Sequence, residues 1–303
     1  MPLTRRAFLA SLAAASAASI ALPRFGLAQS GLLTKPIPSS GEKLPLVGLG
    51  SWITFNVGDD PVARDACAAV MQAFFAEGGR MIDSSPMYGS AQEVIGYGLK
   101  KLNATDEVFS ADKVWTAGDG PEQIAESEKR WGVQRFDLLQ VHNLLSFEKH
   151  LDTLFAMKAA GKLRYVGITT SHGRRHREFE EVMKAHPLDF IQVTYNVVDR
   201  DIEKRILPLA QEKGIAVIAN RPFQQGALID GLEGETLPPF ASEIGAKNWA
   251  QLLLKFIVSH PAMTCAIPAT SKVAHLRENM GASYGPLPDA KLRARIAAYV
   301  EEI

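Results

Sequence analysis

The chain has 303 residues, 47% hydrophobic and 22% charged, a composition ordinary for a soluble globular enzyme. Its 33 basic and 33 acidic residues cancel, so no charge excess points to nucleic acid. Two cysteines, Cys67 and Cys265, are too few for a disulfide framework and read as buried thiols; no Cys/His cluster has metal-ligand spacing, so no metal is expected.

The chain opens with an address. Thr4-Arg5-Arg6-Ala7-Phe8-Leu9 is followed by an Ala-rich apolar run to about Leu22, then by Pro23 and Gly26-Leu27-Ala28. A charged start, a short apolar middle and small residues before a cut describe a secretory signal over residues 1–28. The adjacent arginines followed by Phe-Leu resemble a twin-arginine signal, which implies export of a folded chain to a bacterial periplasm. The apolar run is short of the roughly 20 residues a membrane span needs, so membrane contact is expected only in transit, with an uncleaved anchor as the competing reading. Removing residues 1–28 leaves 30 basic against 33 acidic residues.

Residues 29–303 read as one barrel domain. A hairpin is expected from 33–36 against 42–45, closing a barrel floor. Strand patterns follow at 46–52, 81–84, 107–113, 137–142, 165–169, 190–195, 216–220 and 264–267. Helical periodicity is found at 64–77, 91–101, 122–131, 147–160, 177–185, 201–213, 247–259 and 273–280, with a terminal helix at 289–302. Glycines at 79, 132, 161 and 214 stop helices in the usual way. Gly48 and Gly50 in the first strand allow close backbone approach. The Gly/Pro-rich segment 226–240 interrupts the rhythm and reads as a mobile loop over the site. A basic run at His172, Arg174, Arg175, His176 and Arg177 reads as a solvated helix start. Eight short strands each trailed by a helix, within this length, imply an α/β fold of the (β/α)8 TIM-barrel type.

Four ionisable side chains fall at or just past strand ends: Asp83, Tyr88, Lys113 and His142. The C-terminal ends of barrel strands share one face, where active sites of this architecture lie. The set resembles that of the aldo-keto reductases, and the resemblance implies carbonyl reduction, which needs a proton for oxygen and, from a cofactor, a hydride for carbon. Tyr88 would give the proton, Lys113 would lower its pKa, Asp83 would hold Lys113 charged, and His142 would orient the carbonyl.

These residues resemble the aldo-keto reductases, whose signature separates Asp and Tyr by four residues, as Asp83 and Tyr88 are separated here. Lys113-Val114-Trp115 resembles the family's catalytic Lys before an apolar residue and Trp, and His142 its strand-ending His. The resemblance runs from about Val47 to Asn279 and implies a nicotinamide cofactor, NADPH with NADH as the alternative, and a small carbonyl substrate. It also implies a pocket wall at Trp52 and Trp115, and cofactor contacts at Thr169, Thr170 and Gln192. Thr270, Ser271, Lys272, His275 and Asn279 match the segment that holds the adenosine phosphate, Lys272 favouring NADPH. Two departures stand out. Thr169 and Thr170 replace a Ser-Asn pair, and Asn220, beside Arg221, Pro222 and Phe223, occupies the position of an aromatic that stacks on the nicotinamide. A nucleotide-binding redox sensor or partner subunit, and a barrel of sugar-binding or isomerase type, are the other readings. The resemblance implies a monomer or weak oligomer.

Overall fold

The structure, a computed structural model, describes residues 31–303; the expected signal at residues 1–28 lies outside them. A two-stranded antiparallel hairpin comes first, β1 (Thr34–Pro36) with β2 (Lys43–Pro45), in the register Lys35 to Leu44. Eight parallel strands follow: β3 (Leu49–Gly50), β4 (Met81–Asp83), β5 (Phe109–Val114), β6 (Leu138–Val141), β7 (Tyr165–Thr169), β8 (Phe190–Thr194), β9 (Ala216–Asn220) and β10 (Cys265–Ala266). Each pairs with its sequence neighbour, and bridges from Val47 to Ala266 and from Gly50 to Ala269 join the last strand to the first. The barrel therefore closes, as the β/α rhythm implies.

The closing seam explains why β3 and β10 are shorter than expected. Across the seam a Cβ on Gly50 would stand 2.8 Å from the Ile267 carbonyl, and one on Gly48 would stand 3.1 Å from Ile267 Cγ2 and 3.3 Å from Cys265 Sγ. Glycine is required here by the approach of the two backbones, and the seam is held by single bonds, such as Gly50 N–H to Pro268 O at 3.0 Å.

Among the described residues ten α-helices surround or follow the strands. In order they are α1 (Pro61–Ala76), α2 (Ala91–Leu102), α3 (Gly120–Trp131), α4 (Phe147–Ala159), α5 (His176–Ala185), α6 (Ile206–Lys213), α7 (Ala227–Gly231), α8 (Trp249–Val258), α9 (Val273–Met280) and α10 (Ala290–Glu302). Helix α1 begins three residues before the periodic pattern, because Asp60 caps the Val62 and Ala63 amides with Pro61 in the first turn. The expected helix at 201–213 breaks at Arg205 (φ −140°) into a 3-10 turn, Asp201–Lys204, and α6. Pro208, which has no N–H to give, is tolerated only in a first turn, so the helix restarts just upstream of it. Segment 226–240 is not the open loop expected. It carries α7, and 3-10 turns at Gln224–Gly226 and Pro239–Ile244 bracket it. Among the described residues no helix is long and apolar enough to cross a membrane.

Strand alternation sorts side chains into two cores. Met81, Phe109, Ala111, Leu138, Tyr165, Phe190, Ala216 and Ile218 point into the barrel, with Ile37 and Leu44 of the hairpin plugging its floor. The alternate residues Ile82, Val114, Leu139, Val141, Val166, Ile191 and Val217 point out against the helices. Lys35 fixes the hairpin: its ammonium donates to the carbonyls of Val258, His260 and Met263 at 2.6–2.8 Å. Cys67 and Cys265 are buried and free.

Candidate active site

The same alternation, carried one step further up each strand, places Asp83, Lys113, Thr169, Gln192, Thr194 and Asn220 at the C-terminal rim of the barrel interior. A cavity of about 590 Å³ opens there. Asp83, Tyr88, His142, Trp52, Thr169, Gln192, Asn220, Arg221, Pro222, Thr270, His275 and Asn279 all line it.

Lys113 lies just beneath. Its ammonium is 2.6 Å from Asp83 Oδ1, donates to the Ser84 carbonyl at 2.7 Å, and stands 5.0 Å from the centre of the Tyr88 ring. Burial works most strongly against the Lys113 charge, but Asp83, Tyr88 and Asp112 together outweigh it, and the ammonium holds its proton more firmly than usual. Burial also lifts the Tyr88 phenol above its ordinary value; Lys113 pulls it down without prevailing. The expectation that Lys113 makes Tyr88 acidic is thus corrected in its net sign, because Tyr88 is removed from water and Asp83 adds negative charge nearby.

The Tyr88 and His142 rings meet edge-on with centroids 5.8 Å apart. Burial, with Lys113 second, pushes the His142 imidazolium down to about 3, so the ring is neutral in ordinary buffers. Its Nδ1 is 2.9 Å from Ser85 Oγ, which also accepts the Met87 N–H at 3.4 Å. With the Ser85 hydroxyl donating to Nδ1, the imidazole proton belongs on Nε2, which has no partner among the described residues. Ser85 was legible only as a turn residue; its orienting role depends on the 57-residue separation from His142 collapsing in the fold.

The cofactor-side residues divide. Gln192 gives its amide N–H to Asp83 Oδ2 at 2.8 Å, leaving Oε1 as an acceptor at the cavity. Thr169 Oγ1 accepts the Asn143 amide at 3.0 Å. Asn220 is committed: it accepts from Thr194 Oγ1 at 2.8 Å and donates to the Thr170 carbonyl at 3.0 Å, tying β7, β8 and β9 together. Thr170 is buried off the cavity with its hydroxyl on the Arg174 carbonyl, so its side chain is structural. Ser271 and Lys272 are exposed at the start of α9 and do not line the cavity, whereas Thr270, His275 and Asn279 do. Trp115 is also off the lining. β5 ends at Val114, the Gln123 side chain clamps the Trp115 backbone N–H and carbonyl at 2.7 and 2.9 Å, and the residue is left 40% exposed.

Whether a dinucleotide suits this cavity is decided by its lining. Hydroxyls (Thr169, Thr270), amides (Gln192, Asn279) and the Arg174 and Arg221 guanidiniums surround a volume within the common range for cofactor sites. The free acceptor of Gln192 and the guanidiniums fit a carboxamide and phosphates. Among the described residues no cluster of three or more His, Cys, Asp or Glu is arranged to hold a metal.

Comparison with known proteins agrees with this geometry. Residues 46–299 match the model of the aldo/keto reductase family. Methylglyoxal reductase YeaE of Escherichia coli is 30% identical over 276 residues, covering 88% of this chain and 95% of that protein. An aldo/keto reductase from Klebsiella pneumoniae, solved with NADP and acetate, is 26% identical with a TM-score of 0.70, covering 86% of this chain and 93% of that one. A second structure of an aldo-keto reductase from Klebsiella pneumoniae, with NADPH, is 25% identical with the same TM-score of 0.70, covering 86% of this chain and 92% of that one. A closed eight-stranded barrel with an Asp–Lys pair beneath a Tyr and a His, matched over nearly its whole described length, places the chain in the aldo/keto reductase family.

Proposed function

We infer that the protein is an NADPH-dependent reductase of aldehydes or ketones. The observation that carries this reading is the buried Lys113–Asp83 pair, 2.6 Å across, directly under the Tyr88 phenol and beside a neutral His142. A bound nicotinamide supplies the hydride. Tyr88 supplies the proton to the carbonyl oxygen, and the Lys113 ammonium stabilises the phenolate left behind. Asp83 keeps that ammonium charged and fixed. His142 Nε2–H donates to the carbonyl oxygen and sets its orientation, while Trp52, its ring centroid 6.5 Å from that of Tyr88, walls the substrate side.

Methylglyoxal, the substrate named for the Escherichia coli relative, is the first carbonyl to try. Tyr88→Phe is expected to lower turnover by roughly 10²–10⁴-fold while leaving NADPH binding intact. Near-full turnover in that variant removes the acid role.

One observation favours a second reading, a nucleotide-binding sensor with little turnover: Asn220 offers no ring to stack on the nicotinamide, and its amide is already engaged. Wild-type turnover no faster than that of Tyr88→Phe would select it.

We further propose that residues 1–28 form a twin-arginine signal and that the mature protein works in the periplasm as a monomer or weak oligomer. The support is the Arg5-Arg6 pattern, and the family match begins downstream, at residue 46. Replacing both arginines by lysine is expected to hold the protein in the cytoplasm; unchanged export overturns the signal. Sedimentation of the mature chain reports its assembly.

A further inference from the structure

Asp112 precedes Lys113 on β5 and points the other way, out of the barrel and into the layer beneath the helices. It is fully buried. Its Oδ1 accepts the backbone N–H of Lys113 at 2.8 Å, and its Oδ2 accepts Gln92 Nε2 at 2.6 Å. Gln92, on α2, also donates to Ser127 Oγ on α3 at 2.9 Å. An outward position on a barrel strand ordinarily takes an apolar residue, as Val114, two residues on, illustrates. A buried carboxyl there costs several kcal/mol unless charge or hydrogen bonds repay it.

The surrounding charges are few. From β5 comes Lys113, and from β4 and the loop after it come Asp83 and Tyr88. His142, after β6, is neutral. The α2 and α3 helices give Asp112 an amide through Gln92, itself held by Ser127; their nearby charges, Glu93, Glu126 and Arg130, pair with one another toward solvent. Two buried carboxyls thus flank Lys113, one on each face of β5. Asp83 grips its ammonium inside the barrel, and Asp112 holds its backbone N–H from the outside. Burial pushes the Asp112 carboxyl up to about 7, with Lys113 opposing, so it is ionised at mildly alkaline pH.

We propose that Asp112 is a positioning residue for the reaction: its carboxylate, held by Gln92 and by the Lys113 amide, fixes the charge balance around Lys113 and so how firmly Tyr88 keeps its proton. This rests on the assignment of Tyr88 as proton donor. The carboxylate adds buried negative charge on the far side of β5 from the phenol, which disfavours the phenolate and keeps Tyr88 loaded at higher pH. It also anchors β5 to α2 and α3 at the residue whose neighbour must stay aimed at Tyr88.

The test compares wild type with Asp112→Asn and with Asp112→Ser, the second standing in should the first fail to fold. Each is titrated by ultraviolet phenolate absorbance, with Tyr88→Phe as the blank, and by the alkaline limb of kcat for aldehyde reduction. Both midpoints are expected to fall by roughly half a pH unit or more, with NADPH affinity unchanged. A folded neutral variant whose midpoint stays at the wild-type value overturns the proposal. If neither folds, infrared spectra of the wild-type protein decide: the carbonyl stretch of a protonated, buried carboxyl should vanish by about pH 9. Its persistence there overturns the proposal. The phenolate and infrared readings need no turnover, so this inference and the reductase reading fail separately.

Discussion

Gln192 Nε2 donates to Asp83 Oδ2 at 2.8 Å, while Lys113 Nζ holds Oδ1 of the same carboxylate at 2.6 Å. The group is gripped from β5 and β8 at once, across the barrel. It is the reason a buried ammonium persists below the cavity.

Removing that carboxylate should therefore cost more than a hydrogen bond. Asp83→Asn is expected to lose about 3–5 kcal/mol of stability, because it leaves the Lys113 charge buried and unpaired. Asp83→Asn combined with Lys113→Met should recover most of the loss. Urea unfolding of the two variants checks this; equal losses would show that the charge is not the cause.

Acid sensitivity follows from His142. Its imidazole titrates at about 3 in the folded protein and near its ordinary value once unfolded. Between roughly pH 6.5 and pH 3 the unfolded chain binds a proton that the folded chain refuses, so stability falls as the pH falls. The slope from this group is at most about 1.4 kcal/mol per pH unit. His260, lowered to about 4 chiefly by burial, adds in the same direction. His142→Gln should flatten urea midpoints measured from pH 7 to pH 4.

Lys272 stands exposed just before α9, with its backbone N–H on Thr270 Oγ1 at 3.1 Å. If its ammonium meets the 2′-phosphate, Lys272→Ala should weaken NADPH by roughly ten-fold or more and leave NADH unchanged. Fluorescence titration with both nucleotides measures it, and equal weakening removes the phosphate contact.

Ile53 lines the cavity in a turn closed by Thr54 N–H to Trp52 O at 2.7 Å, with φ at 64° and the residue 62% exposed. A β-branched side chain in left-handed backbone is strained by about 1–2 kcal/mol. Ile53→Gly should therefore raise the melting temperature despite the flexibility of glycine, while impairing turnover of bulky apolar aldehydes more than of methylglyoxal.

Much of this was legible in the chain. The β/α rhythm, the floor hairpin and the strand-end positions of Asp83, Lys113 and His142 follow from local periodicity, which the fold preserves. What escaped depends on contacts between distant segments. The split at Arg205 and the early start of α1 turn on Pro208 and Asp60, single residues inside or ahead of a periodic run. The commitment of Asn220 to Thr194 and Thr170 needs three strands side by side. The side of the rim on which Trp115 falls is set by Gln123, a helix away. Asp112 carries no signal of its own in the chain, since a sequence shows charge but not burial.

Lys35 has a consequence for how the molecule is made. The carbonyls it binds lie 223 to 228 residues further along the chain. The hairpin leaves the ribosome among the first described segments, yet its anchor is among the last to be synthesised. Until then the apolar bottom of the nascent barrel lacks its stopper, so a stalled or truncated product is exposed to proteases and to self-association, and only a finished polypeptide is watertight.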